Sequence, residues 1–321
     1  MAGLLKKAFP LCTIYFLGRT YTKDVVALSA HVDGFINYDE VEKLPADERV
    51  QFLKTFHADV FVHVFPVQAI AHLAKKAHIP LRVGTTNRFY HWLSCNSLVR
   101  LSRRNSQLHE VQLNFKLLQF LDINLHVPLA EVPDYYGFSK TPTLDPEFFK
   151  LINKQKFNLI LHPKSKGSAR EWGLDNFEKL VQMLPSHAYQ IFVSGTAEDG
   201  AGMTGFLKNE RIINLCGKLS LQQFIAFINA SDGLVAASTG PLHLAAALNK
   251  RAIGLFVPMR PIHPGRWAPL GKKASVLVEN KPECSDCRRG GSCHCIRAIQ
   301  ASAVVKELEK DVATENRHDI L

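Results

Sequence analysis

Between Phe157 and Phe256 short apolar runs alternate with helix-compatible segments, and this alternation restricts the fold more than any other feature of the chain. Phe157–Leu161, Ala188–Val193, Arg211–Leu215, Asp232–Ala236 and Ala252–Phe256 read as strands, with helices at Asn176–Leu184, Leu221–Asn229 and Pro241–Leu248. Strands and helices in strict turn predict an α/β fold with a parallel, doubly wound sheet, whose ligands bind beyond the carboxyl ends of the strands. Polar and glycine residues gather at those ends, in His162–Ala169, Ser194–Glu198, Ser238–Gly240 and Pro258–Gly265. Several loops converging on one sheet edge are the mark of a binding site.

The sharpest local signal is Leu234–Leu248, a buried strand, a Ser-Thr-Gly turn and a helix opening at Pro241. Proline suits the first helical position, Ser or Thr before it can cap free amides, and the Ala-rich run that follows favours helix. Such a terminus presents unpaired N–H groups and a positive dipole end, which suit a phosphate or diphosphate. On these residues alone, an ordinary strand-to-helix junction is the favoured reading, and the surrounding residues shift the balance.

The first half carries strands at Thr13–Leu17, Val32–Asn37, Asp59–Val64 and Leu81–Gly84, and helices at Pro45–Phe56, Val67–Ala77 and Leu108–Leu121. Asp122–Glu147, rich in Pro, Asp and Tyr and without periodicity, reads as a linker. A chain of 321 residues exceeds the usual size of one core, so two domains are expected, 1–150 and 151–321. A hydrophobic share of 46% with 21% charged residues is that of a soluble globular protein. The net charge of +10 calls for an anionic partner: nucleic acid, a phosphorylated substrate or an acidic membrane surface. No apolar run reaches membrane-spanning length and no secretory signal pattern opens the sequence, so a cytoplasmic location is expected.

Several chemistries are disfavoured. No G-x-G-x-x-G follows a strand, Gly217-Lys218 lacks the rest of a P-loop, and His109-Glu110 has no second histidine four residues after the first. Ser238 lacks the first glycine of a nucleophile elbow. Cys12, Cys95 and Cys216 read as small packing residues. Cys284, Cys287, Cys293 and Cys295, beside His294, could hold zinc as four thiolates, but the single-residue spacer of the second pair departs from zinc-ribbon spacing. A reduced, metal-free loop fits equally well.

Three blocks in the second half carry a resemblance: His162-Pro163-Lys164-Ser165-Lys166-Gly167-Ser168-Ala169-Arg170-Glu171-Trp172, Ser194-Gly195-Thr196-Ala197-Glu198, and Ser238-Thr239-Gly240-Pro241-Leu242-His243. In order and spacing they resemble the heptosyltransferases, the lipopolysaccharide-core transferases of glycosyltransferase family 9. Lys23–Leu28 and the His109-Glu110 segment resemble the family more weakly, and the cysteine-containing tail is similar to it as well. The resemblance implies a GT-B fold, two Rossmann-like doubly wound domains facing across a cleft, with the acceptor in the N-terminal domain and the donor in the C-terminal one. It implies an inverting, metal-independent glycosyltransferase that needs no cofactor. Its donor is a nucleotide-diphosphate sugar, usually ADP-heptose, and its acceptor an anionic glycolipid of the lipopolysaccharide core. A sugar hydroxyl needs a base to attack, and a departing diphosphate needs positive charge.

Carried over residue by residue, the resemblance makes Asp24 the catalytic base, although Asp24 also reads as a helix N-cap and Lys23 stands where members often have glycine. It places Ser165 and Arg170 near the donor phosphates, Glu198 on the ribose hydroxyls and the backbone of Leu219 against adenine. Thr239, Gly240 and His243 form the phosphate turn and its helix, His243 also fitting a simple packing role. Many members carry Asp where this chain has Ser238, on the donor-sugar hydroxyls. A serine cannot accept two strong hydrogen bonds as a carboxylate does, so a related hexose is an alternative donor. Arg82, Arg88, Arg100, Arg103 and Arg104, with Phe89, Tyr90 and Trp92, form an aromatic and basic segment. Of these, Arg88, Arg103 and Arg104 are the expected acceptor contacts, near the inner membrane surface; a solvated charged face is the plain alternative. The same mixture suits RNA, but no RNA-binding signature accompanies it, so no nucleic-acid partner is expected. The rival to an enzyme is a nucleotide-sugar binding protein with a degenerate site.

Overall fold

The computed structural model describes residues 1–103, 106–281, 284 and 294–315. The chain forms two compact units, Met1–Gly137 and Phe138–Leu321. In the first unit, β1 (Tyr15–Gly18) pairs in parallel with β2 (Gly34–Asn37). Separately, β3 (Val60–Val62), β4 (Leu81–Thr85) and β5 (Ser97–Val99) form a three-stranded parallel sheet with β4 in the middle. Both sheets lean on one core. Ile36, Leu53, Leu73, Ala74 and Ile79 are buried together, with Leu17 of β1 and Phe61 of β3 packed against them. The helix Gln68–Lys76 buries Ala71, Leu73 and Ala74 and sends Lys75 and Lys76 outward, the amphipathic pattern that fixes its orientation.

The expected helix Leu108–Leu121 is shorter. It runs over Glu110–Phe115, then tightens into a 3₁₀ turn at Lys116–Leu118. His109 caps it: its Nδ1 accepts from the Val111 N–H at 3.2 Å, while the side-chain Oε1 of Gln112 accepts from the His109 N–H at 3.2 Å. The helix Ala2–Ala8 and strand β5 were not legible as periodic segments. The Asp122–Glu147 stretch is structured too. Leu129–Tyr135 forms a 3₁₀ segment, and Lys7 Nζ donates to the Tyr135 hydroxyl at 3.2 Å. Beyond Gly137 the allegiance changes. The Asp145 N–H donates to Gln223 Oε1 at 2.8 Å and Gln223 Nε2 donates to the Thr143 carbonyl at 3.2 Å, so residues 138–150 pack with the second unit, ahead of the expected break at 150/151.

The second unit holds β6 (Phe157–His162), β7 (Tyr189–Val193), β8 (Ile212–Asn214), β9 (Gly233–Ala237), β10 (Arg251–Phe256) and β11 (Ala274–Val278) in one parallel sheet. Their order is β11-β10-β9-β6-β7-β8, the Rossmann order. Every residue of β9 and β10 is buried, as a parallel sheet covered on both faces requires. One face packs Leu159, Leu161, Val235 and Ile253 against Trp172, Phe177 and Leu180 and against Val304 and Leu308 of the last helix, Ala301–Glu315. On the other face Phe192 meets Phe227 of the helix Leu221–Ala230 edge-on at 4.9 Å. The Trp172 indole N–H donates to the Ile299 carbonyl at 2.8 Å, and the guanidinium of Arg251 in β10 bonds the Glu307 carbonyl, fastening the helix Ala301–Glu315 to the sheet.

Candidate functional site

In this strand order the chain moves outward from β6 to β7 and β8 on one side, and from β9 to β10 and β11 on the other. Loops leaving β6 and β9 therefore diverge, and a crevice opens at their carboxyl ends. His162 of β6 lies in register with Ala236 of β9, so the two loops start side by side.

After β9 comes the turn Ser238-Thr239-Gly240 and the eight-residue helix Gly240–Ala247, with Pro241 in its first turn. Thr239 is the extended N-cap residue and makes no side-chain cap bond. Its Oγ1 is buried and, among the described residues, has no hydrogen-bond partner. A Cβ on Gly240 would meet nothing within 4 Å, so space is open directly over the turn. An orphaned buried hydroxyl, free helix amides and open space together fit an oxyanion with several acceptor oxygens. Ser238 is half-buried at the same turn, and the His243 N–H reaches the Thr239 carbonyl at 3.4 Å.

The loop after β6 is closed by one carboxylate. Glu171 accepts from the Ser165 N–H at 3.0 Å and from Lys164 Nζ at 3.1 Å. Ser165 Oγ donates to the Ala169 carbonyl at 2.8 Å, so this hydroxyl is engaged within the loop. Lys166 and Gly167 both take positive φ, +49° and +80°, at the loop tip. Arg170 stands half-buried between this loop and the anchored Trp172.

The loops after β7 and β8 clasp each other, with the Gly217 N–H donating to the Gly195 carbonyl at 3.0 Å. The helix Ala197–Ala201 opens on a reciprocal cap: Asp199 Oδ2 accepts from the Thr196 N–H at 2.8 Å, and Thr196 Oγ1 accepts from the Asp199 N–H at 3.2 Å. Burial opposes the charge of Asp199, but the Thr196 hydrogen bonds hold its carboxyl below the usual range. Asp199 is thus spent on the fold, whereas Glu198 beside it is exposed. Leu219 is half-buried just after the clasp. His162, counted in the sequence only as part of the β6 loop and of the first resemblance block, was given no role there. Its Nδ1 lies 2.9 Å from Ser194 Oγ, its ring stacks on Phe224 at 6.1 Å, and burial pushes its imidazole down to about 4. Its place as the last residue of the central strand was the available signal. The loop after β10 adds Arg260, His263 and Arg266 to the same edge of the sheet.

In the first unit, Asp24 lies in the first turn of the helix Lys23–Ala27, beyond β1, and Thr22 rather than Asp24 is its N-cap residue. Arg88 is exposed, and it precedes the helix Phe89–Ser94 beyond β4. Arg103 is engaged: its Nε donates to Glu110 Oε1 at 2.7 Å and its Nη2 to the Val64 carbonyl at 3.4 Å. Arg104 lies outside the described residues, as do Cys287 and Cys293, while Cys284 and Cys295 pack at the core of the second unit. Among the described residues no group of three or more His, Cys, Asp or Glu side chains is placed to hold a metal. No described helix is long and apolar enough to cross a membrane.

Residues 57–295 match the family model of glycosyltransferase family 9 (heptosyltransferase). The chain is 24% identical over 278 residues to a Haemophilus influenzae protein assigned by name only as a glycosyltransferase, covering 84% of this chain and 80% of that one. It is 31% identical over 117 residues, 35% of this chain and 33% of the relative, to lipopolysaccharide heptosyltransferase 2 of Escherichia coli. The solved structure of E. coli ADP-heptose lps heptosyltransferase II superposes with a TM-score of 0.72 at 19% identity, covering 98% of this chain and 95% of that one. That likeness bears on the fold, the α/β GT-B class expected from the sequence. With the family model spanning most of its length, the chain belongs to glycosyltransferase family 9, the heptosyltransferase family.

Proposed function

We propose that this protein transfers a sugar, with inversion and without a metal, from an ADP-linked donor to an anionic glycolipid of the lipopolysaccharide core. It would do so at the cytoplasmic face of the inner membrane. The observation that carries this reading is the buried, unpartnered Thr239 hydroxyl beneath the open amides of the Gly240–Ala247 helix. In the reaction the acceptor hydroxyl attacks the anomeric carbon, its proton passes to Asp24, and the bond from that carbon to the diphosphate oxygen breaks. Negative charge then grows on the diphosphate. The helix amides, Thr239 and Arg170 meet it, and stabilisation aimed where charge develops accelerates the step. Glu198, exposed at the next loop, suits the ribose hydroxyls, and the Leu219 segment the adenine. Because Arg103 is already paired with Glu110, exposed Arg88 is the more available contact for acceptor phosphate.

A thermal-shift comparison of ADP, UDP, GDP and CMP tests the donor reading, since a ligand at about 100 times its Kd adds roughly 2.7 kcal/mol to stability. ADP should raise Tm most. Thr239→Val should weaken ADP binding about fivefold to tenfold, one hydrogen bond's worth. The ligand-free variant should melt no lower than wild type, because the hydroxyl has no protein partner to lose. No shift with any nucleotide would overturn the reading, and a preference for UDP would change the donor class.

A further inference from the structure

From Val60 to His109, fifty consecutive residues hold no Asp or Glu and seven Lys or Arg, most of the chain's net charge of +10. Within this stretch the helix Phe89–Ser94 is oriented the wrong way round for a soluble surface. Its inner face is polar or aromatic and well tied. His91 is fully buried with Nδ1 accepting from the Thr85 N–H at 2.8 Å, and Ser94 Oγ donates to the Tyr90 carbonyl at 2.6 Å. Its outer face, at i, i+3 and i+4, is Phe89, Trp92 and Leu93, exposed by 80%, 59% and 57%. Phe65, just beyond the end of neighbouring β3, is 84% exposed. Large apolar side chains standing in water together mark an interaction surface.

We propose that this helix is a membrane-docking element, its Phe89, Trp92 and Leu93 stripe seated with Phe65 in the headgroup region of an anionic bilayer. Charge complementarity selects that occupant. Arg88 at the start of the helix and Arg100 beyond β5 are exposed, and no acidic side chain in the fifty residues opposes them. Basic residues around an apolar, Trp-bearing face are what interfacial helices use, aromatic groups at headgroup depth and cations on lipid phosphates. The Trp92 indole N–H, already donating to the Thr86 carbonyl at 3.0 Å, fixes the ring in its outward pose. The inference rests on the membrane location proposed above and names the surface that achieves it.

The test is sedimentation of the full chain with vesicles of phosphatidylglycerol against vesicles of phosphatidylcholine. Binding to the anionic vesicles only, weakened by salt, is expected, and Phe89→Ser with Leu93→Ser should reduce it at least about tenfold. Trp92 emission should shift to the blue on binding, and Trp92→Phe should abolish the shift, because of the other two tryptophans Trp172 is already buried and Trp267 belongs to the second unit, outside the proposed surface. The double variant should keep the wild-type Tm and the wild-type ADP shift, which separates failure of docking from failure of the donor reading. Absence of binding to anionic vesicles, equal binding to the zwitterionic ones, binding unchanged in the double variant, or retention of an RNA oligonucleotide in place of vesicles would each overturn the proposal.

Discussion

Burial keeps His162 neutral at the carboxyl end of the central strand, with Ser194 as its partner. In the unfolded chain a histidine gains its proton near 6.5, while this one resists until about 4, despite the attraction of Asp199. Between those values the unfolded state binds more protons, so stability rises with pH from about 4 to 6.5 and is then flat for this group. His63, pushed to about 4 by burial and by His91 and Arg82, acts in the same direction in the first unit. His162→Asn should therefore flatten part of the rise in urea midpoint across that window; an unchanged slope would show that His162 does not contribute to it. A second residue-level expectation concerns Asp24, which has no hydrogen-bond or ion-pair partner among the described residues. Asp24→Asn should lower turnover about a hundredfold or more, with the ADP thermal shift retained. Turnover equal to wild type would remove Asp24 from the mechanism. The Thr239 turn was legible because strand, turn and proline are contiguous. The His162–Ser194 pair was not, since thirty-two positions separate the two residues and only sheet register brings them together.

At the scale of elements, the strands of the second unit were legible because buried parallel strands are continuous apolar runs, as β9 and β10 are. β11 escaped notice as an edge strand with four half-buried residues and one exposed, and β5 is only three residues long. Loop closure was invisible to periodicity. Nothing in the spacing of Glu171 announces that it binds both Ser165 and Lys164. The clasp between the β7 and β8 loops depends on Gly217, whose φ of +71° disfavours any side chain and whose Cβ would stand 2.8 Å from Ala197 Cβ. Gly217→Ala should cost about 1 kcal/mol or more of stability and move the Leu219 segment with it. Urea unfolding together with ADP titration checks this: both should weaken, whereas a drop in stability with full ADP affinity would place the Leu219 segment outside the nucleotide contacts.

Across the whole molecule the two units differ in how well their sheets are closed. Among the described residues the second unit has one six-stranded sheet, with β11 and β8 as its edges. The first has two short sheets, so β1, β2, β3 and β5 are all edges and β4 alone is flanked on both sides. Edge strands leave backbone groups unpaired and open locally at low cost. Hydrogen exchange should accordingly be fast across β1 to β3 and slowest in β9 and β10, and the reverse order would contradict the difference in closure. The same four edges bear on how the chain is made. The first unit leaves the ribosome before the second and must wait with β-edges exposed, a state that invites pairing with neighbouring chains. Recovery of folded protein should then depend on expression rate and on chaperone supply through the first unit, even though the proposed donor site lies in the second.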